Sequence, residues 1–258
     1  MNRITSISVE ECVSAITTVF DSIFERIDLW RLAVEQHADA ADGQLSRAGI
    51  DDLIEDIVVP EFARAGSAFI GAGFVAAPGA ISDATWHLAW WLGDTNTFGM
   101  GSTAPHIRRL VAVEEPSAES FRDYTSLEWW RVPEATGERH ITGPYVDYLC
   151  TDEYTLTLTE PVFFRGDSIG VVGADLYVED LERALLPELR LLGPAVTVVN
   201  ASGRVLLSTD AHLATGSLLR LDGLATALSE QHGTTVRLPS GQDVIGCADT
   251  PLSLVIGP

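Results

Sequence analysis

The chain has 258 residues, of which 46% are hydrophobic and 21% are charged, a balance typical of folded globular proteins rather than disordered ones. With 37 acidic residues against 16 basic ones, the formal net charge at pH 7 is -21. A chain this acidic repels nucleic-acid phosphates and anionic membrane surfaces, which argues against both as partners. The length allows one large domain or two modules of moderate size.

The N-terminal segment lacks the features of an export signal. Met1–Ser8 is polar and acidic residues follow at Glu10 and Glu11, so the basic and unbroken apolar regions of a secretory signal are missing. The most apolar runs elsewhere, 66–80 and 191–201, are interrupted well before the ~18 apolar residues that indicate a bilayer span. We therefore expect a cytoplasmic protein without membrane contact.

The three cysteines, Cys12, Cys150 and Cys247, are far apart and odd in number. This pattern is typical of reduced core thiols rather than of a disulfide framework or a zinc site. It agrees with a cytoplasmic location and predicts no bound metal.

A long helix is predicted at the start of the chain. Ser8 and Glu11 have the spacing of a capping box, and apolar residues recur at helical spacing as far as Trp30. The helix is expected to end near His37. Its wide apolar stripe allows packing against the core of its own chain or against a twin helix in a homodimer. A second helix is expected to end at Pro60.

From Ser67 onward, short apolar runs separated by Gly, Pro, Asn and Asp indicate strands and turns of an antiparallel sheet. The predicted strands are Ala68–Val75, Trp86–Leu92, Ile107–Val113, Tyr154–Phe164 and Ser168–Tyr177. Arg165-Gly166-Asp167 is predicted to form a tight hairpin turn. The aromatic-rich segment Ser117–Ala135 is expected to be helical or loose and to cover one face of the sheet.

A second, smaller α+β module is predicted beyond a linking helix at Asp180–Leu192. It begins with a hairpin at Ala195–Thr209, whose turn is Asn200-Ala201-Ser202-Gly203. The other predicted elements are a helix at Leu221–Gln231 and strands at Thr234–Leu238, Gln242–Ala248 and Leu252–Ile256.

No catalytic motif stands out in the sequence. Gly71-Ala72-Gly73 follows an apolar run as in a dinucleotide fingerprint, but Pro78 breaks the chain where the phosphate-binding helix should begin. These glycines therefore indicate close backbone approach within a strand. Phosphate loops, nucleophile elbows and paired Cys-x-x-Cys motifs are absent, and the six histidines are not spaced as metal ligands. We predict a protein that is not an enzyme and binds no cofactor.

Three segments carry a family resemblance: Tyr124–Trp130, with an aromatic pair after a short helix, Gly143-Pro144-Tyr145-Val146-Asp147, and Gly170–Leu176. Together they resemble the membrane-distal module of double Cache domains, the ligand sensors of bacterial chemoreceptors and histidine kinases. The resemblance is sharp from about Phe121 to Leu181 and looser elsewhere. It implies an α+β fold with a long N-terminal helix (1–37), a larger ligand-binding Cache module (38–181) and a smaller PAS-like module (182–258), each module containing an antiparallel sheet.

The resemblance also implies a ligand site. In amine- and amino-acid-binding members, an Arg two positions before the aromatic pair clamps the ligand carboxylate, while two aspartates and the aromatics hold the ammonium. Trp129 and Trp130 match the aromatic pair, and Asp147 and Asp175 match the two acids. Leu127 occupies the Arg position, which argues against an α-amino acid ligand because a buried carboxylate without donors is costly.

Two carboxylates and an indole face can bind an ammonium group through charge-assisted hydrogen bonds and cation–π attraction. Tyr124, Glu128 and Tyr145 are near enough in sequence to line the same pocket. Strand alternation places Tyr145 and Asp147 on one face, and it places the neighbours Trp90 and Trp91 on opposite faces. The alternative is that the tryptophans are core residues, that Asp147 caps a turn and that Asp175 ends a strand.

These residues predict a non-enzymatic sensor of a small cationic amine or amino-acid-derived metabolite, such as a polyamine, an ethanolamine-like compound or another amino-acid catabolite. Its output would pass to a separate signalling protein, for example a transcription regulator. Alternatives are a sensor of a carboxylate or other anion held by backbone amides, Arg122 or Arg131, an enzyme acting on a small metabolite, and an interaction module that binds no small molecule.

Overall fold

A computed structural model describes residues 7–96, 107–146, 153–229, 235–248 and 250–257 of the chain. Its helices are α1 (Val9–Ala40), α2 (Arg47–Phe62), α3 (Glu128–Thr136), α4 (Val178–Leu192) and α5 (Leu224–Ser229), and a 3-10 turn covers Tyr124–Ser126. The first sheet contains β1 (Phe69–Ala76), β2 (Leu88–Leu92), β3 (Arg108–Arg109), β4 (His140–Val146), β5 (Tyr154–Phe164) and β6 (Asp167–Tyr177). The second sheet contains β7 (Val196–Asn200), β8 (Val205–Ser208), β9 (Thr235–Arg237), β10 (Asp243–Gly246) and β11 (Leu252–Ile256).

The predicted capping box begins α1. The Ser8 side chain accepts a hydrogen bond from the Glu11 backbone, and the Glu11 carboxylate accepts one from the Ser8 backbone. The helix then runs three residues beyond the predicted end at His37. Its apolar stripe is buried against its own chain, whereas Leu29 and Leu32 on another side are 54% and 37% exposed. None of the described helices combines the length and apolarity needed to cross a bilayer.

Both sheets share one antiparallel topology. The first has the order β3-β2-β1-β6-β5-β4 and the second β8-β7-β11-β10-β9. When the short edge strand β3 is set aside, each sheet has five strands. Numbered by their order along the chain, they lie side by side in the spatial order 2-1-5-4-3 in both sheets. This repetition confirms the predicted α+β fold, with a long N-terminal helix followed by two similar antiparallel modules.

Three local predictions need correction. Helix α2 does not end at Pro60 but continues to Phe62. A proline in the last turn removes only one hydrogen bond of the helix, and the burial of Phe62 in the core offsets that loss. In the predicted strand Ile107–Val113, the strand register with β2 covers only Arg108 and Arg109. Ile107 and Leu110 pack against apolar clusters, whereas Val111 is 90% exposed, so the strand pattern does not continue to Val113. Strand β4 was not among the predicted strands, because its Gly-Pro pair interrupts the strand pattern.

The two faces of the first sheet have different neighbours. One face packs on α1 and α2 through the main core, which extends through α4 into the second module. The other face is covered by the 3-10 turn and α3, which close over a separate apolar cluster that includes Val75, Val171 and Trp130. This second face holds the candidate site, and we call it the α3 face.

Candidate functional site

One row of residues crosses the α3 face from edge to edge. The strand register pairs Thr142 with Thr157, Thr157 with Asp175, Asp175 with Gly71, Gly71 with Leu92, and Leu92 with Arg108. Directly paired residues of antiparallel strands point to the same face. The row therefore places the carboxylate of Asp175 near the centre of the sheet. Thr157 and Thr142 lie on one side of it, and Gly71, which has no side chain, lies on the other.

Asp175 ends a relay of hydroxyl groups. Thr157 Oγ1 donates to Asp175 Oδ1 at 2.6 Å, and the Tyr145 hydroxyl lies 2.6 Å from the same Thr157 oxygen. Because Thr157 has one hydroxyl hydrogen and donates it to Asp175, Tyr145 is the donor in the second bond. Both hydroxyl donors thus point towards the carboxyl group of Asp175. A register shift between Thr142 and Tyr145 brings both residues of β4 to this face.

The second carboxylate oxygen of Asp175 lies over Gly71. A Cβ atom at Gly71 would be 3.1 Å from Asp175 Oδ2 and 2.8 Å from Trp90 Nε1. The indole N–H and the carboxylate oxygen therefore flank the same small volume above a glycine. Trp90 is 5% exposed on this face, whereas its neighbour Trp91 joins the core beneath the helices, as strand alternation predicts.

Aromatic side chains cover the site. The ring of Tyr124 stacks on Trp129 with centroids 6.2 Å apart and lies 5.2 Å from the ring of Trp130. The Tyr124 hydroxyl donates to the Ala76 carbonyl at 2.6 Å, and burial raises the pKa of this phenol, so it stays neutral. Thr159 donates to the Trp129 carbonyl at 2.8 Å, which fastens the start of α3 to β5. We call Tyr124, Trp129 and Trp130 the aromatic lid.

Glu128 lies at the edge of the lid. Its carboxylate is 3.0 Å from His140 Nε2 on β4, and this hydrogen bond holds the pKa of Glu128 below its usual value. Its side chain is 51% exposed. Glu128 therefore pairs with the edge strand, and its described partner is His140 rather than a member of the Asp175 relay.

The arginines that could hold an anionic ligand either bind other groups or lie away from Asp175. Arg122 donates to the carbonyls of Glu119 and Phe121 at the surface, and Arg131 is exposed on α3. Arg108 shares the face with Asp175 but lies three strands away, about 14 Å at the usual strand spacing. Its guanidinium donates to both oxygens of Asn96.

The structure therefore brings Tyr124, Trp129, Trp130, Tyr145 and Asp175 to one face. Asp147 lies outside the described residues, so the predicted pairing of two aspartates is not described.

Sequence reasoning missed three residues of this face: Thr142, Thr157 and Trp90. Two signals pointed to them. β5 carries threonine at every second position from 155 to 159, and Trp90 pairs across the sheet with Gly73 in the glycine-rich strand β1.

Within the described ranges, no three His, Cys, Asp or Glu side chains lie together as metal ligands. Asp175 is 3% exposed, so a ligand reaches it by moving side chains of the lid or of the adjoining strands. Two surface pockets, of 360 and 540 Å³, lie elsewhere: one beside the end of β6 and one between α2 and the β2–β3 edge.

Comparison with known proteins gives a family match for part of the chain. The family model described as methyl-accepting chemotaxis protein-like, first PDC sensor domain, matches residues 82–183. This segment contains Trp90, the aromatic lid, β4, β5 and β6. No curated protein matches the chain.

Solved structures resemble nearly the whole chain at the level of the fold. Methyl-accepting Chemotaxis protein X aligns with a TM-score of 0.62 and 18% identity, covering 96% of this chain and 93% of that one. The ligand-binding domain of the Pseudomonas fluorescens chemoreceptor CtaA, in complex with L-isoleucine, gives 0.55 and 16%, covering 96% and 87%. That of the Pseudomonas aeruginosa PAO1 amino acid chemoreceptor PctC, in complex with GABA, gives 0.52 and 18%, covering 96% and 95%.

Proposed function

Since residues 82–183 belong to the Cache (PDC) sensor family, we propose that this ligand-binding domain is a non-enzymatic sensor of a small cationic amine. The observation that carries the proposal is the buried carboxyl group of Asp175, which accepts a hydrogen bond from Thr157 in the Tyr145–Thr157 relay beneath the aromatic lid.

The relay supports a cationic ligand for an electrostatic reason. Thr157 occupies Asp175 Oδ1, and Oδ2 lies over the small volume left by Gly71. An ammonium group within hydrogen-bond distance of Asp175 would form a charge-assisted hydrogen bond in a site shielded from water, where such a bond is stronger than at the surface. An indole face of the lid would add roughly 0.5–2 kcal/mol of cation–π attraction.

The ligands of the related sensors support the proposal that the ligand carries an ammonium group. L-isoleucine in CtaA and GABA in PctC each carry an ammonium group, which is the part we assign to Asp175. Each also carries a carboxylate, but in this chain Leu127 stands where a clamping Arg would be, and it is 37% exposed at the start of α3. We therefore expect an amine without a carboxylate.

Thermal shift and calorimetric titration test the proposal. Ethanolamine and putrescine should raise the melting temperature, whereas acetate and succinate should not. Asp175→Asn should abolish the response to amines, because it removes the charge while keeping the shape. Asp167→Asn is the matched control on the same strand, at an exposed hairpin position. A response to organic acids alone, or amine binding that survives Asp175→Asn, would refute the proposal.

The proposal includes a separate signalling protein as the receiver of the signal, such as a transcription regulator, and the cytoplasm as the compartment. Two buried, free thiols support a reducing compartment: burial raises the pKa of Cys12 to about 11 and that of Cys247 to about 12. Cell fractionation tests the location, and recovery of the protein outside the cytoplasm would overturn it.

A further inference from the structure

Within the part of the chain that the structure describes, two buried polar atoms on the α3 face lack a hydrogen-bond partner: Trp90 Nε1 and Thr142 Oγ1. Their residues are 5% and 6% exposed. Buried donors and acceptors are nearly always paired in folded proteins, because an unpaired one has lost its bond to water without replacement. Two such atoms on the face that holds Asp175 indicate that something else completes the bonding there.

The position of the indole N–H narrows what that partner can be. Trp90 Nε1 and Asp175 Oδ2 lie 2.8 and 3.1 Å from the point where a Gly71 Cβ would be, so they are at most ~6 Å apart, the sum of those distances. This upper limit is short enough for one small ligand to contact both atoms, each through a hydrogen bond of roughly 2.7–3.2 Å. A ligand that donates to Asp175 with one atom can thus accept from Trp90 with another atom close to the first.

We propose that the Trp90 indole N–H is a ligand-recognition donor, and that the ligand is a vicinal amino alcohol. Its ammonium group binds Asp175, and the oxygen on the adjacent carbon accepts from Trp90 Nε1. This inference rests on the proposed amine site and deepens it. A diamine or alkylamine has no acceptor for Trp90 when protonated, whereas a hydroxyl oxygen has one and carries no charge that would need a clamping cation.

Thr142 supports a ligand with more than one polar group. It lies two strands from Asp175, on the side opposite Gly71, and its paired residue Thr157 already donates to Asp175. The unpaired atoms thus flank the carboxylate on both sides. A purely alkyl chain would leave both of them unpaired.

A matched pair of probes isolates the role of Trp90. Ethanolamine and n-propylamine have equal numbers of heavy atoms and differ by a hydroxyl in place of a methyl group. Wild-type protein should bind ethanolamine roughly tenfold more tightly, the upper range for one hydrogen bond to a donor that is already desolvated. Trp90→Phe should reduce this preference to about twofold or less. Trp91→Phe, the neighbour on the opposite face, should leave it unchanged.

The outcomes separate the two proposals. If neither amine binds, the amine sensor itself is wrong. If both bind equally, or if the preference for ethanolamine persists in Trp90→Phe, the amine site stands and the role of Trp90 is overturned. Tighter binding of glycine than of ethanolamine would assign the acceptor to a carboxylate and overturn the amino-alcohol class.

An NMR measurement on the wild-type protein makes the test independent of the folding of Trp90→Phe. With ¹⁵N-labelled tryptophan, ethanolamine should shift one of the six indole N–H signals downfield, and n-propylamine should not. The absence of any difference between the two probes would contradict the proposed bond.

Discussion

Glu160 provides a pH test of how the sheet packs on its long helix. It lies on β5, is 8% exposed, and faces the opposite side of the sheet from the candidate site. Arg31 Nε of α1 lies 3.6 Å from its carboxylate. Burial, with the nearby charge of Asp28, raises the pKa of Glu160 to about 7, although Arg31 and Arg139 act against this shift and Glu35 adds to it.

The sign of the pH effect follows from the raised pKa. Between about pH 4.5 and pH 7 the folded protein holds a proton on Glu160 that the unfolded chain has released, so the free energy of unfolding falls as the pH rises. Each pKa unit corresponds to 1.36 kcal/mol, so a rise from 4.5 to about 7 is worth roughly 3.4 kcal/mol in total, of which roughly 2–3 kcal/mol falls between pH 5 and pH 8. The contribution is fully present below about pH 4.5 and is lost above pH 7.

Glu160→Gln removes this titration while keeping the side-chain shape. Urea unfolding at pH 5 and pH 8 should show that the stability of the variant relative to wild type rises by roughly 2–3 kcal/mol between the two conditions. Glu25→Gln, at an exposed position of α1, is the control and should show no such change. A relative stability of Glu160→Gln that is the same at both pH values would refute the reasoning.

Three further substitutions test the candidate site. Gly71→Ala places a methyl group 2.8 Å from Trp90 Nε1, so calorimetry should show at least tenfold weaker ethanolamine binding. The melting temperature should stay near that of the wild type, because the methyl group meets side-chain atoms rather than backbone. Gly73→Ala instead meets the Ala89 carbonyl oxygen at 2.1 Å, so the melt itself should fall by many degrees, and a stable variant would contradict the register described for β1 and β2. Thr157→Val removes the relay to the site carboxylate and should weaken ethanolamine binding roughly tenfold in calorimetry, whereas unchanged affinity would show that the relay does not support the ligand.

Local patterns in the sequence predicted much of the fold. The capping box at Ser8 located the start of α1, and the turn at Arg165-Gly166 located the hairpin of β5 and β6, whose Arg165 and Gly166 both have positive φ. Both features depend on residues that are neighbours along the chain. The edge strand β3 was predicted over Ile107–Val113, but its extent, Arg108–Arg109, could not be predicted in this way, because pairing at an edge depends on the neighbouring strand and on exposure rather than on local apolarity.

The candidate site was predictable only where the family resemblance supplied positions. Residues of the aromatic lid, together with Tyr145 and Asp175, were expected to share a face and do so. The contributions of Thr157 and Trp90 depend on strand register, which pairs Thr157 with Asp175 and Trp90 with Gly73, residues 18 and 17 positions apart in sequence. One sequence does not reveal such pairings, and neither residue belongs to the quoted motifs.

Strand β5 connects the candidate site with α1. Its residues alternate, so that Thr155, Thr157 and Thr159 face the site while Leu156 and Leu158 belong to the core beneath α1. Because packed interiors switch between discrete arrangements rather than deform continuously, a ligand that moves the site-facing threonines must also be accommodated at the helix. The ligand can shift this packing only by as much as it binds one arrangement more tightly than the other. If an amine occupies the proposed site, its hydrogen bonds to Asp175 therefore change the packing of β5 on α1 only to the extent that they differ between the two arrangements.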